Sequence, residues 1–333
     1  MSLTDQPSSP AATGSVALSD SEAQAIAHGD FIADLTQFAL LSFSGPDART
    51  FLQGQLSCDV DPLATQFLST FGAYCSAKGR MLASFLLWRQ GEDWHMMLPG
   101  SIAEAVKKRL SMFILRAKVK LESRSDFALV GIGGPGAAGA LHGLITNIPK
   151  IPHELVAAED LTAIALPGQR WLLCGQRKRV AEASIRMAGV LSRIGTAAWD
   201  WTDIREGIPW VTARTQDHFV PQMAAMERIG GVSFKKGCYP GQEIVARSQY
   251  LGQLKRRLYR AHVDTTAEAG DEVHSEDMAG QSNGMVVNAA PAPGGGSDIL
   301  VVVQTDSAEN SGVHLRSPSG PLLRFLPLPY PQS

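Results

Sequence analysis

Cys238 is the residue with the strongest claim to chemistry in this chain. It stands in the stretch Gly230 to Arg247, which reads GGVSFKKGCYPGQEIVAR. Lys235 and Lys236 precede it, and Pro240-Gly241 follow. Gln242-Glu243-Ile244-Val245-Ala246-Arg247 reads as the first turns of a helix. Proline suits such a start because its missing N–H would have been unpaired there. A thiol just ahead of a helix N-terminus meets free backbone N–H groups that favour negative charge. Two neighbouring ammonium groups act in the same direction. The spacing therefore predicts a thiol with a lowered pKa, with Cys238 as a reactive group and Lys236 tuning it. The competing structural reading is a small buried hydrophobe in a turn.

The other cysteines are Cys58, Cys75 and Cys174, and none is within three residues of another. That spacing and the lack of a His cluster argue against a metal site. Trp199 and Trp201 lie in the charged, turn-rich segment from Ala198 to Pro209. An aromatic there could stack on a flat heterocycle, although Trp201 reads better as core. Gly131-Ile132-Gly133-Gly134-Pro135-Gly136 matches the G-x-G-x-x-G pattern of a dinucleotide-binding turn. Its counterpart earlier in the chain is Ser42-Phe43-Ser44-Gly45-Pro46-Asp47, which shares only the Gly-Pro turn, so the nucleotide reading is set aside. Lys107-Lys108-Arg109, Arg177-Lys178-Arg179 and Lys255-Arg256-Arg257 read as solvated faces more readily than as an RNA stripe.

An internal repeat positions these residues. Phe38 to Ala48 and Phe127 to Ala137 align at a constant offset of 89, each a strand, a Gly-Pro turn and a helix opening. Two strands follow the first copy, Phe67 to Ser76 and Met81 to Trp88, joined at Lys78-Gly79. Ser101 then opens a helix with Glu104 in a capping-box pattern. The second copy continues with a hairpin across Pro167-Gly168 and a helix from about Lys178 to Leu191. The order β-α-β-β-α-β, twice over, is the ferredoxin-like or split-βαβ signature. From Leu254 on, short apolar segments alternate with turn clusters, as in a small β-barrel or sandwich, and PLPYPQS reads as an extended tail.

The expected fold class is α+β, with two ferredoxin-like units and a C-terminal small β-barrel. The expected divisions are a disordered tail over 1–29, ferredoxin-like units over 30–125 and 126–250, and the barrel over 251–333. A 333-residue chain that is 44% hydrophobic can bury cores of this size, and a net charge of -2 gives no reason to expect non-specific nucleic-acid binding. No apolar run approaches a bilayer span, and the N-terminus lacks an apolar signal core, so a cytoplasmic, membrane-free location is expected.

Lys236-Gly237-Cys238-Tyr239-Pro240-Gly241-Gln242-Glu243 resembles the K-G-C-[FY]-x-G-Q-E signature of the YgfZ-type folate-binding proteins. Phe51-Leu52-Gln53-Gly54-Gln55, Lys78-Gly79-Arg80, Phe219-Val220-Pro221-Gln222 and Val245-Ala246-Arg247 also match family segments. The resemblance runs from about residue 30 to the closing PLPY. It implies kinship to the T-protein of the glycine cleavage system, a tetrahydrofolate-dependent aminomethyltransferase. It also implies a tetrahydrofolate-type ligand in a central opening and a role in iron–sulfur cluster assembly or repair. Iron–sulfur proteins, their assembly factors and enzymes that thiolate tRNA would be the partners, with tRNA itself a weaker candidate. By resemblance Trp199 and Phe38 fall at folate-contacting positions. T-proteins carry an aspartate pair after a Gly-Gly turn, whereas this chain has Ala83 and Ser84 there. Neither can act as a carboxylate does, and the sequence offers no other obvious base near the folate. Aminomethyl transfer is therefore not expected. A one-carbon transferase with another substrate, and a tRNA- or partner-binding module without chemistry, stay as alternatives.

Overall fold

The computed structural model describes residues 17–158, 160–250, 254–278 and 280–331. Helix α1 spans Asp20–His28. It lies inside the stretch expected to be a disordered tail. Composition misled there, because Ser19 and Glu22 form a capping box and Ala25 and Ile26 bury the helix's inner face. Residues 1–16 lie outside the described residues.

The first half of the repeat comprises β2 (Phe38–Ser44), α2 (Ala48–Gln55), β3 (Ser69–Cys75), β4 (Met81–Gln90), β5 (Asp93–Pro99), α3 (Gly100–Ile114) and β6 (Lys120–Ser123), preceded by β1 (Phe31–Asp34). Its sheet has the order β3-β4-β5-β2-β6. The second half comprises β7 (Phe127–Gly133), α4 (Ala137–His142), β8 (Leu155–Ala158), β9 (Leu161–Leu166), β10 (Arg170–Gln176), α5 (Arg177–Met187) and β11 (Ser192–Ile194), in the order β11-β1-β7-β10-β9-β8. Strands β2 and β7 are equal in length, and Gly45 and Gly134 behind them take φ +104° and +113°. Only glycine adopts that region freely, so the repeated turn has a backbone cause.

Two details differ from the expected order. Each half has three strands between its helices where the sequence predicts two, the additional ones being β5 in the first half and β8 in the second. Strand β1, assigned above to the first unit, pairs with β7 and β11 of the second. The chain thus crosses between the sheets at Leu35–Gln37. Helix α3 starts at Gly100 after Pro99, with no side-chain cap, and Glu104 instead accepts a hydrogen bond from Ser123.

Helix α6 (Thr196–Arg205) and α7 (Gln242–Tyr250) lead to the last sheet. Its strands are β12 (Arg256–Val263), β13 (Glu272–Ser275), β14 (Ser282–Pro291), β15 (Ser297–Gln304), β16 (Val313–Leu315) and β17 (Arg324–Leu326), in the order β16-β13-β14-β15-β12-β17. The edges approach each other, since Leu323 N–H donates to Val313 O at 2.8 Å. The result is a curled half-barrel. A short helix α8 (Thr305–Asn310) interrupts it. The PLPY segment is no free tail: Tyr330 Oη donates to Gly207 O at 2.7 Å. A shared core joins all three sheets through Phe31, Phe38, Phe71, Trp199, Trp210 and Leu300.

Candidate ligand cavity and thiol loop

Helix α6 carries Asp200, Asp203 and Ile204 at i, i+3 and i+4, on one face. That face lines a cavity of about 460 Å³ between the first sheet of the repeat and the C-terminal sheet. Phe38 and Gln37 form another wall, Trp210 a third, and Asn288 of β14 a fourth. The Phe38 and Trp210 rings meet edge-on, 4.7 Å apart at their centroids. Trp210 is fixed at three points. Its backbone N–H and C=O pair with the Asn288 side-chain amide at 2.8 and 2.9 Å, and its indole N–H donates to Asp203 at 2.8 Å.

Two polar side chains, Gln37 and Asp200, line the cavity beside this aromatic pair. Gln37 Nε2 donates to Asp200 Oδ1 at 2.8 Å, while Gln37 Oε1 is buried without a partner. Burial pushes the Asp200 carboxyl up to about 7; the Gln37 bond opposes this and the neighbouring Asp203 charge adds to it. Burial pushes Asp203 in the same direction, and Arg170 Nη1 at 2.6 Å pulls it back. Because Asp200 holds its proton more tightly when folded, stability should fall as pH rises from about 4 to about 7. The expected loss is about 2–4 kcal/mol. Urea midpoints of Asp200→Asn should lack this slope, and an identical pH profile in the variant would refute the assignment.

The expected folate aromatics separate. Phe38 lines the cavity. Trp199 does not: it lies one turn before Asp203 on α6, is 1% exposed, and packs edge-on to Phe31 and under the Arg170 guanidinium that also pairs with Asp203. A Cβ at Gly131 would lie 2.3 Å from the Trp199 ring, and one at Gly133 2.3 Å from Phe31. Gly136 N–H donates to Asp30. The glycines of the G-x-G-x-x-G match therefore serve internal packing. Trp201 is core, as expected, with its indole N–H on Asp298 at 2.9 Å. Trp210, Gln37, Asp200 and Asp203 were missed. Two aspartates at i and i+3 on α6 were the available signal, and they place carboxyl groups on this cavity.

The second constellation is the thiol loop. Cys238 is exposed, and Cys58, Cys75 and Cys174 are buried. Burial pushes Cys58 and Cys75 up to about 12 and Cys174 higher still, so these three are inert thiols. Lys236, expected to tune the Cys238 thiol, commits its ammonium to backbone carbonyls. Its ammonium donates to Gln53 O, Leu56 O and Cys58 O at 2.7, 2.7 and 2.8 Å, which uses all three protons. The carbonyls at the end of α2 carry partial negative charge and compete for the cation. Lys236 thus ties the loop to the Phe51–Gln55 segment.

Gly241 takes φ +78°, and a Cβ there would lie 2.4 Å from Ser76 O and 2.6 Å from Gly79. The Lys78-Gly79-Arg80 turn is therefore in backbone contact with the loop. Tyr239 is buried, with its ring 5.5 Å from the Lys236 ammonium. Gln242 opens α7, while Gly237, Glu243 and Arg247 are exposed. Gln222 Nε2 donates to Val245 O at 2.5 Å. Four separate sequence motifs thus converge to present one exposed thiol. Among the described residues, no group of three His, Cys, Asp or Glu could hold a metal ion, and no helix is long and apolar enough to cross a membrane.

The architecture is that of the glycine cleavage T-protein class. The aminomethyltransferase T of Bartonella henselae superposes with a TM-score of 0.76 at 18% identity, covering 93% of this chain and 89% of that one. Sequence narrows the class. A tRNA-modifying protein YgfZ from Sodalis glossinidius is 31% identical over 306 residues, covering 90% of this chain and 92% of that protein. The YgfZ of Yersinia pestis strain Pestoides F is 29% identical over the same span. No family model matches the chain. The chain belongs to the YgfZ family.

Proposed function

We propose that the chain is a folate-binding accessory protein that supports tRNA modification through iron–sulfur cluster assembly or repair. One observation carries the ligand reading: a cavity with paired aromatic walls, Phe38 and Trp210, and a carboxyl, Asp200, beside them. A pterin presents a flat ring and an amino-pyrimidinone edge of N–H donors. The Asp200 carboxyl, which lines the cavity and is held by the Gln37 amide, can accept from that edge. Bound folate would supply a carrier for a one-carbon unit. The T-protein-like fold and the tRNA-modifying relatives support the same reading. We read the two sheets of the repeat, the first antiparallel and the second mixed, as ferredoxin-like units, each with one added strand after its first helix and the second also interrupted by β1.

Cys238 is the reactive thiol in this proposal, and Lys236 is a positioning residue that holds its loop. The test uses cells lacking the protein, in which thiolated tRNA nucleosides are measured by mass spectrometry. Wild type should restore them, and Trp210→Ala should restore roughly a tenth or less. Full restoration by a folded Trp210→Ala protein would separate the cavity from the function.

A second reading has one observation in its favour. Asp200, with its carboxyl near neutrality, could move a proton in one-carbon transfer to an unidentified amine. Consumption of methylene-tetrahydrofolate that disappears in Asp200→Asn would favour it.

A further inference from the structure

Helix α3 and the turn after it carry a surface that neither the cavity nor the thiol loop uses. From Gly100 to Lys120 there are six cations and one carboxylate, Glu104, on a chain whose net charge is -2. Lys108, Arg109 and Arg116 make no ion pair among the described residues. The same stretch exposes large apolar side chains. Met112 is 58% exposed, Phe113 44% and Leu115 87%. The inward face of α3 is already satisfied by Ile102, Val106 and Leu110 in the core. The exposed set is thus a second apolar face, and the helix stops on it because Leu115 turns to φ 42°.

Beside this face lies a groove of about 320 Å³, bordered by Met112, Leu82, Ala105, Lys108 and Arg109, with Tyr74 at its base. Arg109 and Tyr74 line the groove together, which sets one cation at the rim beside the phenol. Gln216 closes the groove and donates to Leu82 O at 2.7 Å. The next two residues clasp the Ser76–Arg80 hairpin turn: Ser76 Oγ donates to Asp217 at 3.0 Å, and Arg80 Nη1 donates to His218 O at 2.6 Å. That turn is the one in backbone contact with Gly241 of the thiol loop.

We propose that this groove and the exposed end of α3 dock an acidic segment of a partner protein, which inserts an apolar side chain between Met112 and Leu82. Charge complementarity selects the partner: unpaired cations around an apolar groove favour carboxylates around an apolar anchor. A second copy of this chain is disfavoured, because a symmetric contact would set these cations against themselves. Nucleic acid would use the cations but gain nothing from Met112 and Leu115. A bilayer would meet the exposed side chains but leave the concave groove unfilled. Docking here puts the partner on the hairpin that supports the Cys238 loop. The proposal does not depend on what the central cavity binds.

The probe is a fluorescein-labelled helical peptide with Leu and Glu at amphipathic spacing, beside the same peptide with Lys for Glu. Fluorescence anisotropy with the full chain should show saturable binding of the acidic peptide only. Two double variants, Lys108→Glu with Arg116→Glu and Met112→Glu with Leu115→Glu, should each weaken it about tenfold or more. Cys238→Ala should bind like wild type. All these side chains are exposed, so unchanged melting temperatures are expected. Absence of saturation, or binding unchanged in both folded double variants, overturns the proposal. So does a result in which the variants lose affinity for tRNA or for phosphatidylserine vesicles while the peptide binds as before.

Discussion

Replacing Arg170 with methionine lowers the unfolding free energy by about 3–5 kcal/mol, the largest stability change expected from a single substitution near the cavity. Arg170 is fully buried on β10. Its guanidinium donates to Asp203 at 2.6 Å, to Thr202 Oγ1 at 2.7 Å and to Pro167 O at 3.0 Å, and covers the Trp199 ring at 4.9 Å. Methionine fills much of the volume but leaves the Asp203 carboxylate buried without its cation. Much of the cost is that stranded charge, so Asp203→Asn in the same background should recover part of the loss. The damage should also reach the cavity, because Asp203 anchors the Trp210 indole. Urea denaturation of the single and double variants measures both effects. A loss under about 1 kcal/mol for Arg170→Met would mean the pair is dispensable.

The second large effect is on activity. Cys238→Ala should abolish restoration of thiolated tRNA nucleosides while changing stability by less than about 0.5 kcal/mol. The thiol is exposed and contributes no core packing, so the two readouts should separate. Lys236→Met should behave oppositely in kind. It leaves three carbonyls at the end of α2 without their donor, so it loosens the loop and costs stability as well as activity. If Cys238→Ala restores thiolation fully, the cysteine leaves the mechanism and the loop becomes a structural element alone.

The repeat was legible because its cause is local. A strand ending in a positive-φ glycine before proline leaves the same trace twice, at Gly45 and Gly134. Strand β1 was misplaced because pairing across chain segments leaves no local trace: nothing in Phe31–Asp34 says it belongs beside β7. Helix α1 was lost for a different reason, since Ser-, Pro- and Ala-rich residues before it masked the Ser19–Glu22 cap. In the site, aromatic type was legible and direction was not. Trp199 and Asp203 stand one turn apart on α6, yet only Asp203 lines the cavity, because the Trp199 ring is enclosed by Phe31 and Arg170, which come from distant parts of the chain. Lys236 shows the same limit for charge. Its sequence neighbour is Cys238, but its bonding partners lie some 180 positions away in the chain.

Calorimetric titration of tetrahydrofolate into wild type and Trp210→Ala bears most directly on the cavity bounded by Phe38, Trp210, Gln37 and Asp200. Saturable binding to the wild type at one site per chain, weakened about tenfold or more in the folded variant, is the expected outcome. Heat no larger than dilution for the wild type, or equal affinity in Trp210→Ala, would contradict a pterin in that cavity.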